Sequence, residues 1–191
     1  MEHEENKSDG DFSEILADCQ KLWNPKNDIE IGEEKLYQTL RAAVEDFSER
    51  SIAALVRLEP KAEAEAQIKA IFRAAVYGDV SLLFGDIFTE NDAEVAKQCA
   101  QSAFRSLLEN EREFNGFIPK GIFIDTPLAL LSELPEQGFD FFCLDEKRLT
   151  SLFTGGIDAQ EKEASRLWKC IAEKNLKKIS KKVLTNPKNM V

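Results

Sequence analysis

Four short apolar runs constrain this chain most: Ile52-Ala53-Ala54-Leu55-Val56, Val80-Ser81-Leu82-Leu83-Phe84, Gly121-Ile122-Phe123-Ile124 and Phe139-Asp140-Phe141-Phe142-Cys143-Leu144. Each is too short for a helix, rich in β-branched or aromatic residues, and bounded by turn residues or charges, which is the pattern of a strand. The runs are nearly continuous rather than alternating, so the sheet they form is covered on both faces. Between them lie stretches with helical spacing: Glu33 to Arg50, Ala62 to Tyr77, Asn91 to Glu113, and a short one from Pro127 to Leu134. Apolar residues recurring at that period form one buried stripe per helix. Thr89 or Asn91 is expected to cap the third helix, and Gly78 to end the second. Alternation of this kind builds a parallel sheet with crossover helices, so the class is α/β.

Composition narrows the functional classes. With 191 residues, 43% of them hydrophobic, the chain can bury a core without disulfides or metal. Thirty-five Asp and Glu against 25 Lys and Arg give a net charge of −10, which works against binding a polyanion, so nucleic acid is not an expected partner. No window approaches the roughly 20 apolar residues of a membrane helix. Met-Glu-His-Glu-Glu lacks the positive charge that opens a signal peptide, and a cytoplasmic location is expected. Cys19, Cys99, Cys143 and Cys170 are dispersed without a Cys-x-x-Cys pair, the pattern of reduced, mostly buried thiols. The single histidine, His3, lies in a polar leader over residues 1–10, which excludes histidine-based catalysis in the folded body. Lysines dominate residues 169–191, so the expected organisation is a mobile acidic leader (1–10), one domain (11–168) and a lysine-rich tail (169–191).

Several separated segments, agreeing in order, carry a family resemblance. Gly121-Ile122-Phe123-Ile124-Asp125-Thr126-Pro127, followed by Phe139-Asp140-Phe141-Phe142-Cys143-Leu144-Asp145-Glu146-Lys147-Arg148-Leu149-Thr150, resembles the phosphoenolpyruvate-binding barrel of Enzyme I of the bacterial sugar phosphotransferase system. That family reads G-[IV]-M-[IV]-E-x-P and then D-F-F-S-I-G-T-N-D-L-T. Upstream, the segment from Gln67 to Val80, with Ala70-Ile71-Phe72-Arg73-Ala74 and Tyr77-Gly78, is similar to the family's Q-L-R-A-I-x-R-A-S-x-Y-G-x-[VL]. Val56-Arg57-Leu58 resembles its I-R-T-L-D, and Ser13-Glu14 its R-[ST]-E-F. The resemblance covers roughly Phe12 to Phe153. It implies a (β/α)₈ fold, but about 250 residues are typical of one, so a partial TIM-barrel-like domain with parallel strands and crossover helices is expected. Such a partial barrel leaves two strand edges bare, and a homodimer or a protein partner is expected to cover them.

The resemblance also implies a ligand set. The family holds phosphoenolpyruvate at the C-terminal strand ends through arginines and a magnesium ion, which demands hard oxygen ligands. By resemblance Arg57 is the counterpart of a phosphate-binding arginine, and Asp125 stands where the family's metal-binding Glu would be. At the family's Asn-Asp position the chain has Lys147-Arg148, two cations that cannot ligate magnesium. Two like charges within 4 Å repel by about 4 kcal/mol at an effective dielectric of 20, and a divalent ion doubles that. Phe12 stands where the family has a further arginine, and the family's catalytic cysteine loop and phosphorylated histidine have no counterpart in the matched segment.

The expectation is therefore a non-catalytic binding or regulatory module with no cofactor, its ligand phosphoenolpyruvate or pyruvate, its candidate residues Arg57, Asp125, Lys147 and Arg148. The alternative is a residual phosphotransferase using Asp125, Asp145 or Glu146 for Mg2+ in a shifted site. Each residue also has a purely local reading: Arg57 paired with Glu59, Asp125 as a helix cap, and Lys147 and Arg148 solvated beside Asp145 and Glu146. A sharper reading has the two cations replace the metal and meet an anion directly.

Overall fold

The computed structural model describes residues 15–25, 28–47, 50–132, 138–155, 161–176, 182–185 and 188–189. The expected leader (1–10), Phe12 and Ser13-Glu14 lie outside these. Strands and helices alternate: β1 (Ile15–Asp18), α1 (Cys19–Leu22), α2 (Ile29–Asp46), β2 (Ile52–Arg57), α3 (Lys61–Ala74), β3 (Val80–Gly85) and α4 (Glu90–Glu109). Then come β4 (Lys120–Ile124), α5 (Pro127–Leu131), β5 (Phe141–Leu144), α6 (Glu146–Thr154), α7 (Glu161–Leu176), β6 (Lys182–Thr185) and β7 (Lys188–Asn189). The sheet runs β6-β5-β4-β3-β2-β1-β7 with every pairing parallel. The fold is α/β, and from β1 to β6 neighbours in sequence are neighbours in the sheet, while β7 returns to the far side of β1.

The four expected strands form. The helices shift at their ends for local reasons. The α2 helix starts at Ile29 because the Asp28 carboxylate accepts from the Glu30 and Ile31 N–H groups. Thr89, not Asn91, caps α4: its hydroxyl accepts from Asp92 N–H while the Asp92 carboxylate accepts from Thr89 N–H. That helix stops at Glu109, four residues early, where Glu111 takes φ 50° and Arg112 N–H turns back to the Leu107 carbonyl. The α7 helix runs across the expected boundary at residue 168.

The two faces of the sheet differ. One is covered by helices: all seven contribute to a single core with Ile52, Ala54 and Val56 of β2, Leu82 and Phe84 of β3, and Ile122 and Ile124 of β4. Helices crossing between sequential parallel strands all fall on one side, as right-handed connections require. The opposite face buries a second core whose described members all lie on strands: Leu16, Ala53, Leu55, Leu83, Phe123, Phe141 and Cys143. The segment from Gln67 to Arg73 holds helix to helix. Arg73 pairs with Glu33 at 3.2 Å and Glu34 at 2.8 Å on α2 and lies over the Tyr37 ring. Among the described residues no helix is long and apolar enough to cross a membrane.

Candidate functional site

Alternation along the strands puts Arg57, Gly85 and Asp125 on the helix-free face, at the C-terminal ends of β2, β3 and β4. Sheets of this kind hold their ligands at these ends. Gly85 is the register partner of Arg57, and a Cβ there would stand 3.1 Å from Arg57 Nη1. Glycine thus lets the guanidinium lie across β3 toward β4.

Two carboxylates receive it. Arg57 Nη1 donates to Asp86 Oδ1 at 2.8 Å, and Nη2 donates to Asp125 Oδ2 at 3.2 Å. Asp86 follows β3 in the left-handed region, at φ 58°, a conformation that Asp tolerates better than most residues. Arg148, in the first turn of α6, closes the group with Nε 3.5 Å from the same Asp125 Oδ2. The Asp125 side chain is 3% exposed and that of Arg57 20%, against 55% for Arg148 and 44% for Asp86. Burial works against the charge on Arg57, but Asp86 and Asp125 outweigh it and hold its pKa above the ordinary arginine value. Two guanidiniums and two carboxylates leave the network neutral.

Three of the four candidate residues, Arg57, Asp125 and Arg148, therefore meet. Lys147 is exposed beside Arg148. The local readings need correction at two positions. Arg57 pairs across the sheet with Asp86 and Asp125 rather than with Glu59. Asp125 is not the cap of α5, because the Thr126 hydroxyl accepts from Ala129 N–H in that role. Asp86 escaped the sequence reading; the only signal for it is a Gly-Asp pair directly after a strand. Asp18 belongs to the same rim, at the end of β1, with Oδ2 3.3 Å from Lys21 Nζ and Oδ1 buried without a hydrogen bond.

The donor set does not suit magnesium. Asp145 caps α6 by accepting from Arg148 N–H at 3.0 Å, Glu146 lies 3.9 Å from Lys169 Nζ, and Asp125 is taken by two guanidiniums. Among the described residues no three Asp, Glu, His or Cys side chains gather to hold a metal ion. A divalent ion at Asp125 would have to displace Arg57 and Arg148 or sit beside them against their charge. Two of the buried thiols are held in their neutral form: burial, helped by the neighbouring Asp18 charge, pushes the Cys19 thiol far above its usual range, and burial also raises Cys99.

The chain is 27% identical over 114 residues to the phosphoenolpyruvate-protein phosphotransferase of Buchnera aphidicola subsp. Baizongia pistaciae. It is 25% identical over 114 residues to that of Haemophilus influenzae, and 27% to that of Buchnera aphidicola subsp. Acyrthosiphon pisum. Over that stretch it is related to phosphoenolpyruvate-protein phosphotransferases. The match takes in 59% of this chain and only 20% of the length of each curated relative. No family model matches the chain.

Proposed function

We propose that this domain, related to the phosphoenolpyruvate-utilising enzymes, works as a binding or regulatory module and not as a phosphotransferase. One observation carries the reading: Asp125, at the position of the relatives' metal-binding carboxylate by resemblance, is held by Arg57 and Arg148. A guanidinium supplies charge and fixed donors without a metal's coordination chemistry, so the rim keeps anion-recognising groups while losing its means of activating a phosphoryl group. The ligand we propose is a small carboxylate or phosphocarboxylate, phosphoenolpyruvate or pyruvate, met without magnesium by the exposed Lys147 and by the part of Arg148 turned to solvent.

A thermal-shift titration with phosphoenolpyruvate and with pyruvate, each with and without Mg2+, tests this on the full chain and on Arg148→Ala. A ligand that binds only the folded state stabilises it by about 2.7 kcal/mol at 100 times its dissociation constant. The expected result is a shift of the same size with and without Mg2+ that is lost in Arg148→Ala. A shift that requires Mg2+ would overturn the reading in favour of a residual phosphotransferase site, and the absence of any shift would remove the anion as ligand.

A further inference from the structure

The two ends of the sheet are occupied by one short piece of chain. Lys182 to Thr185 pairs with Phe141 to Leu144 of β5, while Lys188 and Asn189 pair with Ile15 and Leu16 of β1. Both pairings are parallel, and only residues 186 and 187 separate them in sequence. In an open sheet of this strand order, β6 and β7 would stand six strand spacings apart, about 29 Å at roughly 4.8 Å each. Thr185 and Lys188 are three peptide units apart, a reach of about 11 Å at most. An open sheet is therefore excluded by chain length.

Two further observations agree. Among the described residues, those that bury the helix-free face all lie on strands, with Ala53, Leu55, Leu83 and Cys143 at 0–1% exposure, as in a sheet that curls over itself. That face is also trimmed for a narrow interior. A Cβ on Gly121 would stand 2.7 Å from the Phe141 ring, so one strand gives up its side chain to admit the large one beside it. The closing segment meets β5 with its first half and β1 with its second, the stagger that tilted strands need to close.

We infer that Lys182–Thr185 and Lys188–Asn189 together take the place of one closing strand, the first paired to β5 and the second to β1, which makes a six-stranded parallel barrel from a single chain. The sequence-based expectation of a partner at bare edges loses its premise, because the chain's own C-terminal segment is the occupant. Closure also turns the row of rim residues into a ring: Asp18 on β1 and Arg148 after β5 then flank the same strand. The inference is independent of what the rim binds.

Amide hydrogen exchange followed by NMR, with the mass determined by light scattering, tests it on the full chain at several concentrations. Ile15 N–H bonds to Ser51 in β2's approach and Asp140 N–H to Lys120 in β4, so alternation turns the amides of Leu16, Phe141 and Cys143 toward the closing strand. The expected result is slow exchange at all three in a 21.6 kDa monomer, whatever the concentration. In Leu184→Pro, Phe141 and Cys143 should lose that protection while Leu82, bonded to Pro119 inside the sheet, keeps it. Exchange at open-edge rates in the full chain, or protection found only in a dimer, would overturn the inference.

Discussion

Asp125 concentrates the electrostatics of the rim in one side chain. It is the most buried of the four charges and the only one shared by both arginines. Removing it leaves Arg57, itself largely out of water, with Asp86 as its single partner. Breaking a buried pair from one side typically costs about 3 kcal/mol or somewhat more, whereas an exposed pair is worth roughly 1 kcal/mol or less. Urea denaturation should therefore find Asp125→Ala destabilised by about 3 kcal/mol and Arg148→Ala by under about 1 kcal/mol. Equal losses would contradict the burial order on which the account rests. The sequence pointed to Arg57, Asp125 and Arg148 through a family pattern, but it could not say that they touch. That depends on Gly85 leaving space and on Asp86 turning back at φ 58°, for which the sequence offers only a Gly-Asp pair and not the strand register that sets the two beside Arg57.

Elements were legible in proportion to how much of their stability is local. The strands β2 to β5 declare themselves because each is an apolar run buried on both faces, and α2 to α4 because their apolar stripes are long. Strand β1 has four residues, and β6 reads Lys-Val-Leu-Thr within a lysine-rich stretch; what fixes both is pairing with neighbours distant in sequence. The α6–α7 pair is likewise tertiary, with buried Trp168 donating to the Thr150 hydroxyl at 2.9 Å. Gly121 tests the packing inside the sheet. Alanine there meets the Phe141 ring, and overpacking of that kind costs about 1–3 kcal/mol. Gly121→Ala should fall in that range by thermal or chemical denaturation, and adding Phe141→Leu should recover part of the loss. A Gly121→Ala variant as stable as the parent would mean that the helix-free core is looser than described.

At the scale of the molecule, a helix-free core, a strand order that follows the sequence and a C-terminal segment on both edges describe a barrel smaller than the eight-stranded fold implied by the resemblance. Length alone argued that eight units could not fit. It could not reveal that fewer strands find a way to meet. At the rim, Asp125 is held by the guanidiniums of Arg57 and Arg148, and the proposed function rests on their standing where a metal ion would otherwise be held. Its most direct test is electron paramagnetic resonance of Mn2+, standing in for Mg2+ because both favour octahedral oxygen ligands, titrated with the full chain and with Asp125→Asn. The free-ion signal should persist undiminished with both proteins. Loss of that signal at one ion per chain, abolished by Asp125→Asn, would contradict it.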